Sequence, residues 1–162
     1  MELNYKKAVL EDIEILTETR ITVLRAANQL SDDMDMSYVK EQSYLYYQKS
    51  LLENNHVAYL VFDGHEFVGA GGISFFQVMP TFHNPTGKKA YIMNMYTKPE
   101  YRRKGIAYKT LDLLVAEAKQ RGIHAISLEA TNMGKPLYEK YGFTKMNDDC
   151  LLYTSPSPRD CS

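Results

Sequence analysis

Residues 92–114 read Ile-Met-Asn-Met-Tyr-Thr-Lys-Pro-Glu-Tyr-Arg-Arg-Lys-Gly-Ile-Ala-Tyr-Lys-Thr-Leu-Asp-Leu-Leu. The apolar residues up to Tyr96 predict a strand, and Pro99 breaks it. A basic loop over residues 102–107 contains Gly105 and leads directly into an amphipathic helix. This order presents free backbone N–H groups at a helix N-terminus, where the helix dipole also favours negative charge. The stretch therefore predicts a cradle for a pyrophosphate group.

The side chains of this loop support the same interpretation. Arg102, Arg103 and Lys104 place three positive charges at the start of the helix. Gly105 would let the backbone approach a diphosphate closely, and Ala107 keeps the first helical turn uncrowded. The same residues also fit an ordinary strand–loop–helix crossover with a solvated basic turn.

Other phosphate-binding motifs are missing from the sequence. No segment has the Gly-x-x-x-x-Gly-Lys-Ser/Thr pattern of a Walker loop. Residues 69–74 begin like a dinucleotide fingerprint, but Ser74 stands at the last glycine position. The segment also lies among apolar residues that predict a strand. We therefore expect its small residues to allow a strand bend or the close approach of another group.

The length and composition of the chain are typical of a single globular domain. The chain has 162 residues, of which 44% are hydrophobic and 24% charged, and its net charge is −1. A charge this small indicates neither nucleic acid nor an anionic membrane as a partner. No apolar run approaches the ~20 residues that span a bilayer, and the first residues do not resemble a signal peptide. These features predict a cytoplasmic protein.

Hydrophobic periodicity and turn signals predict helices that alternate with strands around a mixed sheet. The predicted strands are residues 3–8, 57–62, 67–76, 90–96 and 125–130, with a closing strand after residue 143. One predicted helix begins at residue 10, a second covers about residues 37–52, a third follows the basic loop and ends near residue 121, and a fourth covers residues 136–142. The inner face predicted for the first helix contains these residues: Ile13, Leu16, Thr17, Arg20, Leu24 and Ala27. In the second helix, seven-residue spacing predicts an apolar stripe of Tyr38, Leu45 and Leu52. The single domain covers residues 1–153. Residues 154–162 are polar and proline-interrupted, so we expect a disordered tail whose sequence need not be native.

A known motif matches the basic loop. Residues 102–107 follow the pattern Arg-x-x-Gly-x-Ala, which resembles the acyl-CoA-binding motif of the GNAT N-acetyltransferase superfamily. The order of predicted elements over residues 3–153 is similar to the fold of that family. The resemblance implies an α/β fold with a central, mostly antiparallel mixed sheet and helices on both faces. It also implies a splayed strand pair at the acyl-CoA site.

A second resemblance lies in residues 128–143, which contain a Leu-Tyr-Glu-x-x-Gly-Phe segment. In GNAT enzymes the tyrosine of this segment often acts as general acid toward the CoA thiolate. Carried over, the resemblance implies that Tyr138 is the acid, and a phenol within hydrogen-bond reach suits this chemistry. Tyr141 lies three residues further on a similar side of the helix, so spacing alone does not exclude it.

The resemblance also implies the residues that contact the cofactor. The pantetheine arm would add like a strand beside residues 95–97, whose N–H groups would polarise the acetyl carbonyl. Asn132 resembles the family asparagine that binds this arm, although its spacing to Tyr138 is six where many members have seven. A helix N-cap role fits Asn132 equally well. The predicted cofactor-binding residues are Met95, Tyr96, Thr97, Arg102, Arg103, Lys104, Gly105, Ile106, Ala107, Tyr108 and Asn132.

Amine chemistry needs a proton acceptor, because only a neutral amine can attack a thioester. A lysine-like amine with a pKa near 10.4 is almost entirely protonated at pH 7. Glu129, at the end of a predicted strand, is the candidate base, although a solvent-facing glutamate fits the same pattern. The histidines stand in turns or at element ends and are interpreted as surface residues: His56, His65, His83 and His124. No cluster has metal-ligand spacing, so no metal is predicted.

Two groups of residues could wall an acceptor site. The first is the acidic group Asp32, Asp33 and Asp35, which could attract a cationic amine or simply form a solvated loop with a helix cap. The second is the apolar group Phe75, Phe76, Met79 and Phe82, which could equally be core and hairpin packing.

Taken together, these patterns predict an acetyl-CoA-dependent N-acetyltransferase that acts by direct transfer in a ternary complex. The chain has no convincing activated cysteine for a covalent intermediate. The expected acceptor is a small-molecule or peptide amine, and a homodimer is left open. The alternative is a non-catalytic acyl-CoA-binding or sensing module of the same fold. A nucleic-acid-binding domain is disfavoured because no broader basic stripe accompanies the loop.

Overall fold

A computed structural model of the protein describes residues 1–145 and the backbone of residues 150–153. The predicted tail, residues 154–162, lies outside the described residues. Helices and strands alternate along the chain in the following order: β1 (Leu3–Lys7), α1 (Ile13–Asn28), α2 (Ser37–Leu52), β2 (His56–Asp63), β3 (Glu66–Gln77), β4 (Lys88–Thr97), α3 (Ile106–Gln120), β5 (Ala125–Glu129), α4 (Lys135–Tyr141), β6 (Thr144–Lys145) and β7 (Cys150–Tyr153).

The strands form one mixed sheet in the order β1-β2-β3-β4-β5-β7-β6. Within the described part of the chain, β4 and β5 are the one parallel pair, and the other neighbours are antiparallel. The helix α3 supplies the long crossover that a parallel pair needs. The predicted mixed, mostly antiparallel sheet is confirmed.

The sheet is covered on both faces, as predicted. One core cluster joins the sheet to α3 and includes Leu111, Leu114 and Leu128. A second cluster lies on the opposite face and includes Leu16 of α1 and Tyr47 of α2. Each fully buried leucine side chain contributes about 1.5–3 kcal/mol relative to an exposed one. Apolar burial on both faces therefore holds the central strands in place.

Small residues in β3 let helix α3 pack closely on the sheet. A Cβ added at Gly71 would lie 2.6 Å from Thr110 Cγ2, and one at Gly69 would lie 3.1 Å from Ile106 Cγ2. Both contacts are with α3, so the close-approach interpretation of residues 69–74 is confirmed. On the other face, a Cβ at Gly72 would lie 3.0 Å from His56 Nε2.

The inner faces of α1 and α2 differ from the sequence expectation. In α1 the buried positions include Leu16, Thr19 and Val23, whereas the predicted face ran on to Ala27, which is exposed. In α2 the predicted apolar stripe is exposed, and Tyr47 and Ser50 are buried instead. The stripe residues keep large exposed fractions: Tyr38 76%, Leu45 49% and Leu52 67%. Seven-residue spacing alone did not identify the face that meets the sheet.

The parallel strands β4 and β5 separate part of the way along. Their pairing ends at Ile92 and Leu128, but β4 continues to Thr97. Residues 93–97 therefore have no strand partner on the β5 side among the described residues. A bulge lies in the same segment, where Asn94 has a φ of 59° and the β3 register shifts. Bulges of this kind often redirect a strand next to an active site. The predicted splayed strand pair is present.

Candidate active site

The basic loop is built as the sequence predicts. A short 3-10 turn, Pro99–Tyr101, follows β4, and Gly105 is the N-cap of α3 with a φ of 82°. Lys109 is the first residue of α3 whose backbone N–H makes a helical hydrogen bond, which it donates to the Gly105 carbonyl at 3.0 Å. The N–H groups of residues 103–108 have no acceptor among the described residues. A row of free donors therefore stands at the helix N-terminus, as an anion site requires.

Side chains around the loop fix its position and leave its charges available. Tyr101 donates a hydrogen bond to Asp63 at 2.7 Å, and Lys98 pairs with Glu66. These contacts anchor the turn to the β2–β3 hairpin. Arg103 and Lys104 are exposed and make no ion pair with a described residue. A Cβ placed on Gly105 would meet nothing within 4 Å, so open space lies above the loop.

The end of β4 carries an unsatisfied polar atom. Thr97 Oγ1 is buried and has no hydrogen-bond partner among the described residues. Such groups are rare in native structures and call for an explanation. Thr97 lies on the segment without a β5 partner, directly before the basic loop. A polar ligand that entered the β4–β5 split could satisfy this hydroxyl.

Tyr138 is buried in the core cluster that also contains Ile92 and Leu128, the last pair before the split. Burial raises the pKa of its hydroxyl to about 12, so the phenol stays protonated at neutral pH. Its hydroxyl has no hydrogen-bond partner among the described residues. The ring packs against Gly134, where an added Cβ would lie 2.9 Å from Tyr138 Cε2. The small residue at 134 thus makes room for the tyrosine.

The sequence left open the roles of Tyr141 and Asn132, and the structure places these two residues in different surroundings. Tyr141 donates a hydrogen bond to Asp112 of α3 at 2.8 Å, so its hydroxyl is engaged at the protein surface. The alternative N-cap role of Asn132 is wrong. Gly134 is the N-cap of α4, and Thr131 supports this helix start: its Oγ1 accepts the Gly134 N–H at 3.2 Å and its carbonyl accepts the Lys135 N–H at 3.0 Å. Asn132 is exposed, and a cofactor contact for it stays a prediction.

Glu129 is the last residue of β5 and lies at the mouth of the split. Because Ile92 pairs with Leu128, Met93 and Glu129 are the first residues beyond the paired region. Alternation along the strands places Glu129 on the α1–α2 face, with Ser127. Burial is the main cause that raises the pKa of the Tyr91 hydroxyl. The negative charge of Glu129 raises that pKa further, and the positive charge of Arg20 lowers it. The carboxylate therefore faces the same side as Arg20.

A pocket of about 300 Å³ lies on this face, between α1, α2 and the sheet. Arg20, Met93 and Asn94 line it from α1 and β4, and Gln42, Ser43, Tyr46 and Tyr47 line it from α2. His56 and Ser74 complete the wall. Arg20 Nη1 donates to Asn94 Oδ1 at 2.8 Å, which ties α1 to the bulge of β4.

The interpretation of His56 as a surface residue is wrong. Its side chain is buried, with 4% of its surface exposed. Tyr46 Oη lies 2.9 Å from His56 Nδ1 and 2.6 Å from Ser74 Oγ, and the last two atoms are 3.0 Å apart. Burial, reinforced by the charge of Arg20, lowers the pKa of His56 to about 4, so its ring is neutral at pH 7.

The acceptor walls considered from the sequence do not line this pocket. Phe76, Met79 and Phe82 are exposed, and Phe75 packs beneath the Arg121 guanidinium at 3.8 Å. The acidic residues are exposed too. Asp35 accepts hydrogen bonds from the Ser37 N–H at 2.9 Å and from the Ser37 hydroxyl at 2.7 Å, directly before the Met36 N-cap of α2. The solvated-loop interpretation of this acidic segment fits the structure.

Arg20 is the one pocket residue whose place in the sequence indicated a polar site. It is a charged residue on the predicted inner face of α1, among apolar neighbours. A charge in that position needs a polar partner or ligand. His56 and Ser74 gave no comparable signal, because their meeting depends on the β2–β3 register.

The described residues form neither a metal-binding cluster nor a membrane-spanning helix. Among residues 1–145, no group of three His, Cys, Asp or Glu side chains is arranged to hold a metal ion. Within the same part of the chain, no helix is long and apolar enough to cross a bilayer.

Comparison with known proteins now identifies the family. The sequence model of the acetyltransferase (GNAT) family matches residues 24–143, so the chain belongs to this family. A curated relative, the uncharacterized N-acetyltransferase YsnE of Bacillus subtilis (strain 168), is 31% identical over 86 residues. That alignment covers 50% of this chain and 51% of YsnE, so the chain spans about half the length of this relative.

Solved structures share the fold over most of the chain. A predicted acetyltransferase from Clostridium acetobutylicum, crystallised with acetyl-CoA, is 36% identical with a TM-score of 0.81. The match covers 90% of this chain and 92% of that one. The PaiA N-acetyltransferase of Thermoplasma acidophilum, in complex with coenzyme A, is 20% identical with a TM-score of 0.69. That match covers 94% and 97% of the two chains and supports the fold alone.

Proposed function

We propose that the protein is an acetyl-CoA-dependent N-acetyltransferase that transfers the acetyl group directly to a primary amine in a ternary complex. One observation carries the proposal. The β4–β5 split opens at Met93 and Glu129, with a free helix N-terminus at the end of β4 and a pocket on the other side of the sheet. Donor and acceptor can therefore reach the split from two sides. The Clostridium relative crystallised with acetyl-CoA supports the choice of donor.

The residues present fit an acyl-CoA. The free N–H groups of residues 103–108, with Arg103 and Lys104, would hold the diphosphate. The unpaired edge of β4 over residues 93–97 would accept the pantetheine arm as an added strand, and Thr97 Oγ1 would gain a partner. Acetyl-CoA supplies an acetyl group activated as a thioester.

In this proposal, Tyr138 is the general acid and Glu129 the general base. Glu129 accepts a proton from the ammonium form of the amine, directly or through one water, and the neutral nitrogen then forms the new C–N bond. Tyr138 donates its proton to the sulfur as the C–S bond breaks, and the nitrogen of the new amide returns a proton to the tyrosinate. Glu129 releases its proton to solvent. Backbone N–H groups of residues 95–97 stabilise the charge on the carbonyl oxygen, an effect that can be worth several kcal/mol. The products are the N-acetyl amide and free CoA.

The test measures thiol release with acetyl-CoA and a panel of amines, for the wild type and for Tyr138→Phe. We expect Tyr138→Phe to lower kcat by about 10²–10⁴-fold while acetyl-CoA affinity is retained. Tyr141→Phe is the matched control and should keep wild-type kcat, because its hydroxyl is engaged with Asp112. Equal rates for the two variants would contradict the acid role. Binding of acetyl-CoA without turnover of any amine would favour the sensing module.

Glu129→Gln tests the base in the same assay. Without a carboxylate, the enzyme depends on amine that is already neutral. The rate should therefore fall at pH 7 and recover by about tenfold per pH unit toward the pKa of the amine. A pH profile parallel to the wild type would assign proton removal to another group.

A further inference from the structure

The pocket between α1, α2 and the sheet has an unusual charge balance. Among the described residues, Arg20 is the one charged residue that lines it, and none of them lines it with a carboxylate. Arg20 is half-buried, and it forms no ion pair within the described part of the chain. A buried charge without a counterion is costly, so such charges are normally paired. An anion bound in the pocket would supply the counterion that Arg20 lacks among the described residues.

The geometry of Arg20 leaves room for that anion. A guanidinium has five N–H donors, and among the described residues only Asn94 Oδ1 receives one of them, at 2.8 Å. This hydrogen bond fixes the direction of the side chain. The remaining donors offer the planar fork that suits a carboxylate. One positive charge matches the single charge of a carboxylate better than the charge of about −1.5 to −2 on a phosphate group.

The rest of the wall is uncharged among the described residues, and most of its exposed surface is apolar. Tyr46, His56 and Ser74 bond to one another, and His56 is neutral at pH 7. A polycationic acceptor would find no opposite charge on the described residues of this wall. A small molecule with an apolar body would find mainly apolar surface, with a few polar groups at fixed positions. The volume of about 300 Å³ is at the small end of ligand pockets.

The pocket also extends to the β4–β5 split, where the proposed reaction takes place. Met93 and Asn94 line it, and they are the first residues of β4 beyond the last pair with β5. An acceptor with its anionic group on Arg20 would therefore direct its other end toward the split. Glu129, at the opposite side of that opening, is the proposed base.

We propose that the acceptor is a small amine that carries a carboxylate, as amino acids do, and that Arg20 binds this carboxylate in the pocket. The proposal rests on the proposed acetyltransferase function and names the chemical class of its acceptor. It makes Arg20 a specificity-determining residue for the reaction.

The test compares amines that differ only at the carboxyl group. The probes are L-methionine and L-phenylalanine, each against its carboxamide, with spermidine as a polycation. For the wild type, we expect kcat/KM for the acids to exceed that for the amides by at least tenfold. Simple reactivity runs the other way, because the amide has the less basic amine. Arg20→Met should abolish the preference, Arg20→Lys should keep part of it, and Lys40→Met is the charge-matched control outside the pocket.

A binding measurement separates this inference from the proposed function. The same probes are titrated calorimetrically into protein saturated with CoA, where no transfer can take place. The acids should bind the wild type and the Lys40→Met variant, and should bind Arg20→Met at least tenfold more weakly. Amides or spermidine that react or bind as well as the acids would overturn the inference while leaving the acetyltransferase function intact. If the protein binds acetyl-CoA but neither binds nor acetylates any of the acids, the inference about the acceptor is also overturned. If the protein does not bind acetyl-CoA, both the inference and the proposed acetyltransferase function are overturned.

Discussion

Two side chains near the split have ionisation properties set chiefly by burial. Burial raises the pKa of Tyr138 to about 12 and lowers the pKa of His56 to about 4. Both groups are therefore neutral at pH 7. For Tyr138 this keeps the proton that its proposed role requires. For His56 it keeps the pocket wall uncharged beside Arg20.

The depressed pKa of His56 predicts a pH-dependent stability. The pKa of this histidine is 6.5 in the unfolded chain and about 4 in the folded protein. Between these two pH values the unfolded chain binds a proton that the folded protein does not bind. The contribution is fully present above pH 6.5 and is lost as the pH falls toward 4. The loss of unfolding free energy amounts to about 3 kcal/mol. Urea denaturation at a series of pH values measures it.

The control for this prediction is an exposed histidine. His65→Gln should keep the wild-type slope of stability against pH, whereas His56→Gln should lower it by about 1.4 kcal/mol per pH unit between pH 6.5 and 4. Parallel curves for the wild type and His56→Gln would show that His56 titrates normally and would contradict the buried, neutral imidazole.

At the scale of single elements, the loop before α3 is the feature that the sequence predicted best. Its order of strand, proline, basic residues, glycine and helix depends on local chemistry, and the structure keeps that order. The Tyr46–His56–Ser74 cluster could not be predicted in the same way. His56 immediately follows a turn, and its burial depends on how α2 lies across β2 and β3. The same dependence explains why the apolar stripe of α2 is exposed.

Gly105 and Gly64 form a matched pair for testing the loop. Both have a positive φ, 82° and 60°, and an added Cβ would meet nothing within 4 Å at either site. Alanine at each position should cost about 1–2 kcal/mol of stability through backbone strain alone. Only Gly105→Ala should also weaken acetyl-CoA binding, because its methyl group would enter the space assigned to the diphosphate. Calorimetry on both variants checks this, and equal affinities would place the diphosphate elsewhere.

In the whole molecule, the fold brings the two proposed sites, for acetyl-CoA and for the acceptor, to one opening. The crossover through α3 makes β4 and β5 parallel, and their separation after Ile92 and Leu128 opens the sheet. The sequence predicted this architecture through periodicity and a family resemblance. It did not predict the pocket proposed to bind the acceptor, because Arg20, His56 and Asn94 come from three distant segments. Only the assembled sheet and helices bring these residues together.

Acetyl-CoA binding decides whether the basic loop before α3 is an acyl-CoA site. Calorimetric titration would compare the wild type with Arg103→Ala/Lys104→Ala and with Lys49→Ala/Lys88→Ala, which removes the same charge from exposed positions away from the loop. We expect micromolar-range binding by the wild type and the control, and at least about tenfold weaker binding by the loop variant, because two charge-assisted contacts are lost. No binding by the folded wild type, or equal affinity in all three proteins, would contradict the acyl-CoA site.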